Sequence, residues 1–247
     1  MLVFVRVTGM FTFNPIFGRQ NVPMQVRAAM SLALAVCMLA GFGGTTGYIP
    51  ASIPGFVFVL ISEALIGYVF GLFTNLILTV LILGGEIMDN QMGLSMANVM
   101  DPGSGIRMPI FANFNYYLFI FYFFLAGIHL EYIRLFYLSY DIIPVGFSFT
   151  LNTQTTLIKV VMFLGTIFEL SIKLALPIIA AEFISTVCVG VIMKAVPNIQ
   201  IFIFNVQLKI AIGILMVLIL AKPLSDFVEG LLSIYMQNLN SLLYHFI

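Results

Sequence analysis

The chain is 247 residues long, 62% hydrophobic and only 8% charged, and its ten basic and ten acidic side chains leave no net charge. Mean hydropathy is +1.13, whereas a soluble domain carries about 25% charged residues, so the excess apolar surface needs lipid or partner subunits to cover it. No charge run or basic patch is present, which argues against nucleic acid as a partner.

The first apolar segment runs from about Leu2 to Phe13 and ends at Asn14-Pro15. Arg6 lies inside it and no small-residue cleavage site follows, so a retained helix is expected and not a removed signal. A short link, Gly18 to Pro23, leads to a second segment from about Val26 to Phe42, and then to a glycine-rich linker, Gly41 to Gly47. Pro50 and Pro54 introduce a run from about Gly55 to Leu83, longer than the roughly 20 residues a bilayer core needs. Gly67 and Gly71 within it would permit close packing or a bend.

The central stretch, Gly84 to Phe114, differs from the rest. Its first half is predicted as a separate helix with Met88, Met92, Met96 and Met100 four residues apart, a slowly drifting thioether stripe. Glu86, Asp89, Asn90 and Gln91 crowd the start of that helix, where its dipole favours carboxylates. Asp101, Pro102, Gly103, Ser104 and Gly105 then stop it. Ile106, Arg107, Met108, Pro109, Ile110 and Phe111 read as a short apolar loop with one cation. A flexible apolar loop behind a methionine stripe fits a pliable closure; core filler and an ordinary helix connection are the plainer readings.

After the centre come an aromatic-rich segment, about Tyr116 to Tyr137, and a loop from Asp141 to Thr155. A second overlong run, about Leu157 to Met193, is expected to be bent at Pro177. The last apolar run, Ile199 to Leu220, breaks at Lys222-Pro223, and about 225–247 reads as an amphipathic terminal helix. There is no repeat and no domain boundary, so a single domain over 1–247 is expected, all-α in class.

Hydropathy alone gives five to seven spans, but Glu63, Glu131 with Arg134, Glu169 with Lys173, Glu182 and Lys209 interrupt the runs. A charge at the bilayer centre costs about 2.5–3.5 kcal/mol even on a lenient scale, so these groups should pair or face protein. Glu131 and Arg134 at i+3, and Glu169 and Lys173 at i+4, have the spacing to pair along their own helices. Bent helical hairpins packed on other subunits fit this pattern as well as straight spans do.

Cys37 and Cys188 sit in apolar runs and are expected to be inert and buried. Trp is absent, so an interfacial belt has to come from the ten Tyr. His129 and His245 have no companions at metal-ligand spacing, and no nucleophile–base set, phosphate loop or cofactor motif occurs. Neither a metal nor a cofactor nor an enzymatic reaction is expected. Glu86 and Asp89 could instead hold the coupling ion of a free-standing ion-coupled multi-pass transporter, since carboxylates in membrane segments are functional candidates.

Gly84 to Ser104 closely resembles the FliR family of the flagellar type III export gate. Gly85-Glu86, Gln91-Met92-Gly93, Asp101 to Ser104 and Met108-Pro109 carry the resemblance. Arg6 with Pro15 and Pro23, Gly127 to Leu130, Pro144 to Gly146, Ala175 to Pro177 and Val196 to Phe202 follow in the family's order over essentially the whole chain. Asp89 departs from the family's more usual glycine, and Asn205 with Gln207 replaces a common Gly-x-Pro.

The resemblance implies one copy of this subunit in a hetero-oligomeric helical assembly with several FliP and FliQ chains, touching FlhB and passing unfolded flagellar proteins. It implies a place in the bacterial inner membrane at the flagellar basal body, with the helical core held largely above the lipid plane. Ile106 to Phe111 would plug the channel, Asp101 to Gly105 would be the hinge, and Met88, Met92, Met96 and Met100 a soft gasket wall. Glu86, Asp89, Gln91, Glu131, Arg134, Glu169 and Lys173 would make contacts between helices or subunits. A structural nucleus with no channel contact is the weakest alternative.

Overall fold

The computed structural model describes residues 1–18, 23–41, 52–94, 109–146, 153–195 and 201–243. Among these the regular elements are eight α-helices: α1 Leu2–Phe13, α2 Met24–Gly41, α3 Ile53–Gln91, α4 Ile110–Leu125, α5 Ile128–Ile142, α6 Thr153–Ala195, α7 Ile201–Ile219 and α8 Ala221–Leu243. The class is all-α, as the sequence predicts.

The helix ends follow local chemistry. Asn14 leaves the helical region at φ −80° and ψ 124°, as a residue before proline prefers. Its Oδ1 accepts hydrogen bonds from the backbone N–H of Ile16 and Phe17, an Asx turn that closes α1. Gly127, at φ +71°, supplies the left-handed residue that turns the chain between α4 and α5 by 71°. The aromatic-rich segment, about Tyr116 to Tyr137, is therefore shared between two helices. α7 and α8 meet at 63°, and Pro223 falls in the first turn of α8, where its missing N–H has no helical partner to lose.

Two long helices differ from expectation. α3 runs unbroken for 39 residues, so Glu86 and Asp89 lie near its C-terminal end and not at the start of a new helix. Gly84 and Gly85 do not break it, because neighbouring chain fills the space their missing side chains leave. A Cβ at Gly84 would meet Leu174, and one at Gly85 the backbone of Ala112. α6 likewise runs for 43 residues through Pro177. Losing one N–H donor there, toward the Lys173 carbonyl, is outweighed by the apolar stripe packed on either side.

Among the described residues two helices, Ile53–Gln91 and the 161–192 part of α6, are long and apolar enough to cross a membrane, or up to four spans if each bent pair counts as one. Large apolar side chains remain exposed on them, including Phe58, Leu65, Phe168 and Phe183. Both free cysteines are exposed too, contrary to expectation, because they lie on helix faces that this chain leaves uncovered. Tyr132, Tyr140 and Tyr235 are fully buried, so these three tyrosines belong to the core and not to an interfacial belt.

The chain divides into two compact units interleaved in sequence: residues 1–78, 123–161 and 232–247, and residues 79–122 and 162–231. In the first, glycines bring α1 against the first half of α3. A Cβ at Gly9 would sit 2.8 Å from the Ala64 carbonyl oxygen, and one at Gly67 would overlap that of Arg6. The end of α8 packs here by a clean helical stripe, with Leu232, Tyr235 and Leu239 buried. Tyr235 stacks on Tyr132 with ring centres 6.2 Å apart and shares a 2.8 Å hydrogen bond with Thr74.

In the second unit, the inward stripe of α6 is Ser171, Leu174, Ala175, Ile178, Glu182, Ser185 and Val189, all buried. Asn115 of α4 donates to the Leu81 carbonyl at 3.1 Å. The hydroxyls of Tyr122 and Ser225 contact each other.

Candidate functional site

The described flanks of the central stretch come together in the second unit. Asp89, 3% exposed, sits in the last turn of α3, where the helix dipole disfavours a carboxylate. Its Oδ2 accepts the Phe111 N–H at 3.0 Å, in the first turn of α4, where backbone donors are free and the dipole favours negative charge. The dipole argument made from sequence therefore holds for Asp89, but with a different helix. Asp89 is the tertiary cap of α4. Beside it, the close approach of Gly85 to Ala112 sets how near α3 and α4 lie.

The methionine stripe divides. Met88 is buried on α3 and Met92 is fully buried in the turn beyond its end. Met96 and Met100 lie outside the described residues, as do the hinge Asp101 to Gly105 and the plug residues Ile106, Arg107 and Met108. The Met92 N–H still donates to the Met88 carbonyl at 3.0 Å, but α3 ends at Gln91 and Gly93 takes φ +76°, so the helical stripe stops at Met92. Met92 packs into the gap at Gly213 of α7, where a Cβ would overlap its side chain. Pro109 precedes α4, and its carbonyl accepts the Asn113 N–H at 3.1 Å. Ile110 and Phe111 are thus the first turn of a helix, not loop: with no N–H to lose at Pro109, helix can start there. Ile110 is exposed and Phe111 half-buried.

A cavity of about 200 Å³ lies in this unit, lined by Met88, Phe111, Asn115, Lys173, Pro177 and Leu224 among others. Its wall is mostly apolar. The Oδ1 of Asn115 and the Oδ1 of Asp89 are buried acceptors with no hydrogen-bond partner among the described residues.

Of the other polar residues singled out from sequence, Glu169 and Lys173 form an ion pair at 2.7 Å, each about three-fifths exposed at 61% and 60%. Glu131 and Arg134 do not pair. Both are exposed on α5, where holding two long side chains together gains little. Glu86 and Gln91 are partly exposed at the end of α3.

Sequence reasoning missed the pairing of Arg6 with Glu63. Arg6 Nε meets Glu63 Oε2 at 2.5 Å, with both side chains essentially buried at 0% and 1% exposure. Arg6 also donates to the carbonyls of Ser139 and Ile143 at 3.4 and 3.1 Å. Its guanidinium lies 4.2 Å from the Tyr140 ring centre. The second Glu63 oxygen accepts the Gly146 N–H at 3.1 Å. One cation and one anion in apolar helices, each too costly to bury alone, were the available signal.

Apolar helices of spanning length, uncovered apolar faces and a capped junction between α3 and α4 together define an all-helical membrane-type protein. Residues 1–234 match the family described as bacterial export proteins, family 1; the chain belongs to that family. It is similar to flagellar biosynthetic protein FliR of Bacillus subtilis (strain 168), 25% identical over 247 residues, covering 98% of this chain and 93% of the relative. FliR of Escherichia coli (strain K12) is 26% identical over 234 residues, 93% of this chain and 86% of the relative. FliR of Caulobacter vibrioides is 28% identical over 213 residues, 86% of this chain and 84% of the relative. The resemblance to FliR read from the sequence is borne out.

Proposed function

We propose that the chain is a subunit of the flagellar type III export gate, helping to form and close the channel through which unfolded flagellar proteins leave the cell. It acts as part of a conduit and not as an enzyme. FliP and FliQ are its neighbours in one complex, FlhB touches that complex, and the assembly sits in the inner membrane at the flagellar basal body. The observation that carries this reading is the family match over residues 1–234, almost the whole chain, together with relatives named for flagellar biosynthesis. The geometry of the central stretch supports it: Asp89 and Gly85 tie the end of α3 to the start of α4. The two described flanks of that stretch, up to residue 94 and from residue 109 on, are therefore held together.

Two measurements test the proposal. The chain isolated in mild detergent is expected to carry two other small membrane proteins; recovery as a monomer or homo-oligomer would favour the free-standing transporter. Deleting residues 105–110 is expected to leave assembly intact while making the membrane leak ions or small solutes. Unchanged conductance in cells that assemble the deleted gate rejects a plugging role.

A further inference from the structure

The cavity of the second unit plays no part in the export reading. Helices α3, α4, α6, α7 and α8 all contribute to its wall, and every residue that lines it belongs to that one unit. Its volume is about 200 Å³, and an apolar cavity of about 150 Å³ already takes a benzene-sized molecule. Most of the wall is carbon, from side chains such as Met88, Phe111, Ile178 and Leu224.

The polar atoms on this wall are of one kind. Asn115, which lines the cavity, is 1% exposed. Its Nδ2 donates to the Leu81 carbonyl at 3.1 Å, which fixes the amide's orientation: turned over, its oxygen would face another oxygen. The free end is therefore Oδ1, a buried acceptor with no hydrogen-bond partner among the described residues. On α6, Pro177 has no N–H to give the Lys173 carbonyl, and both residues line the same cavity. The Lys173 ammonium does not supply the missing donor, because Glu169 holds it at 2.7 Å on a side chain that is 60% exposed.

An apolar wall with unused acceptors selects a ligand that brings a donor, and it rejects carboxylates and carbonyls, which would add oxygen to oxygen. A lipid tail fills the volume but leaves Asn115 unpaired. Water brings donors, yet each buried water needs two to four polar partners, and this wall offers few. We infer that the cavity binds a small uncharged apolar molecule carrying one hydroxyl, of the phenol or short-alcohol type, with the hydroxyl donating to Asn115 Oδ1. Because the cavity lies within one compact unit, the site stands whether or not the chain serves in an export gate.

The test is a titration of para-fluorophenol and of fluorobenzene, followed by fluorine NMR. It uses the full chain in detergent with the subunits that accompany it, and empty micelles as the reference. Saturable binding of para-fluorophenol is expected, about tenfold tighter than that of fluorobenzene, the upper range for one neutral hydrogen bond. Asn115→Leu is expected to erase that preference while fluorobenzene still binds. Ile178→Phe, which fills the space, is expected to abolish binding of both. Equal affinity of the wild-type protein for the two probes overturns the proposal, as does the absence of saturable binding; neither result needs a variant that folds. An Asn115→Leu protein that keeps the preference, or an Ile178→Phe protein that still binds both probes, places the site elsewhere and overturns it too.

Discussion

The two compact units treat their buried carboxylates in opposite ways. In the first, Arg6 and Glu63 form a nearly closed network: the guanidinium meets a carboxylate, two carbonyls and an aromatic face, and the carboxylate also accepts a backbone N–H. In the second, Asp89 uses one oxygen to cap α4 and leaves the other without a described partner, and neither oxygen of Glu182 has one. A satisfied network fixes one arrangement of helices. A carboxylate with unused hydrogen-bonding capacity leaves its surroundings less strictly defined, so the Arg6–Glu63 network is the more rigid of the two arrangements.

That contrast can be broken experimentally. The largest effect is expected from Arg6→Met, which strands the buried Glu63 carboxylate and should destabilise the protein by about 3–5 kcal/mol. Adding Glu63→Leu should recover much of the loss, and a denaturant titration in detergent measures both. If the double variant is as unstable as the single one, the network does more than neutralise charge. Next comes Gly85→Ala, whose methyl meets the Ala112 backbone; overpacking of this kind costs about 1–3 kcal/mol. Gly213→Ala should cost less, because it meets the Met92 side chain, which can yield. Comparing their melting midpoints separates a fixed backbone contact from a pliable one.

Asp89→Ala removes the cap of α4 and is expected to cost about 0.5–2 kcal/mol. Amide hydrogen exchange should localise the loss to the first turn of α4; protection there unchanged would deny the cap its role. The smallest effect is expected from Glu169→Gln. An ion pair with both partners about three-fifths exposed gains little once solvated and screened, and melting should shift within error. A marked shift would mean that a partner subunit covers α6 at this point.

Much of the helical layout was legible in the sequence. The ends of α1 at Asn14-Pro15 and of α7 near Lys222-Pro223 follow from residue chemistry, and the amphipathic terminal helix follows from periodicity. Glu169 and Lys173 lie at a spacing that a helix alone brings together. The misplacements have a common cause. Gly84-Gly85 and Pro177 look like breaks in a local reading, yet α3 and α6 run through them because packed neighbours favour the continuous helix. Gly127 lies inside an aromatic run with no other turn residue beside it, yet its positive φ turns the chain.

The sequence by itself determined the class, the family, the apolar segments and the scarcity of charge, because hydropathy and motif order are sums over neighbouring residues. Only the tertiary structure decided that Arg6 meets Glu63, that Asp89 serves α4 instead of its own helix, and that the Glu182 carboxylate is buried without a described partner. Those facts depend on distances between residues far apart in the chain, which no local pattern encodes.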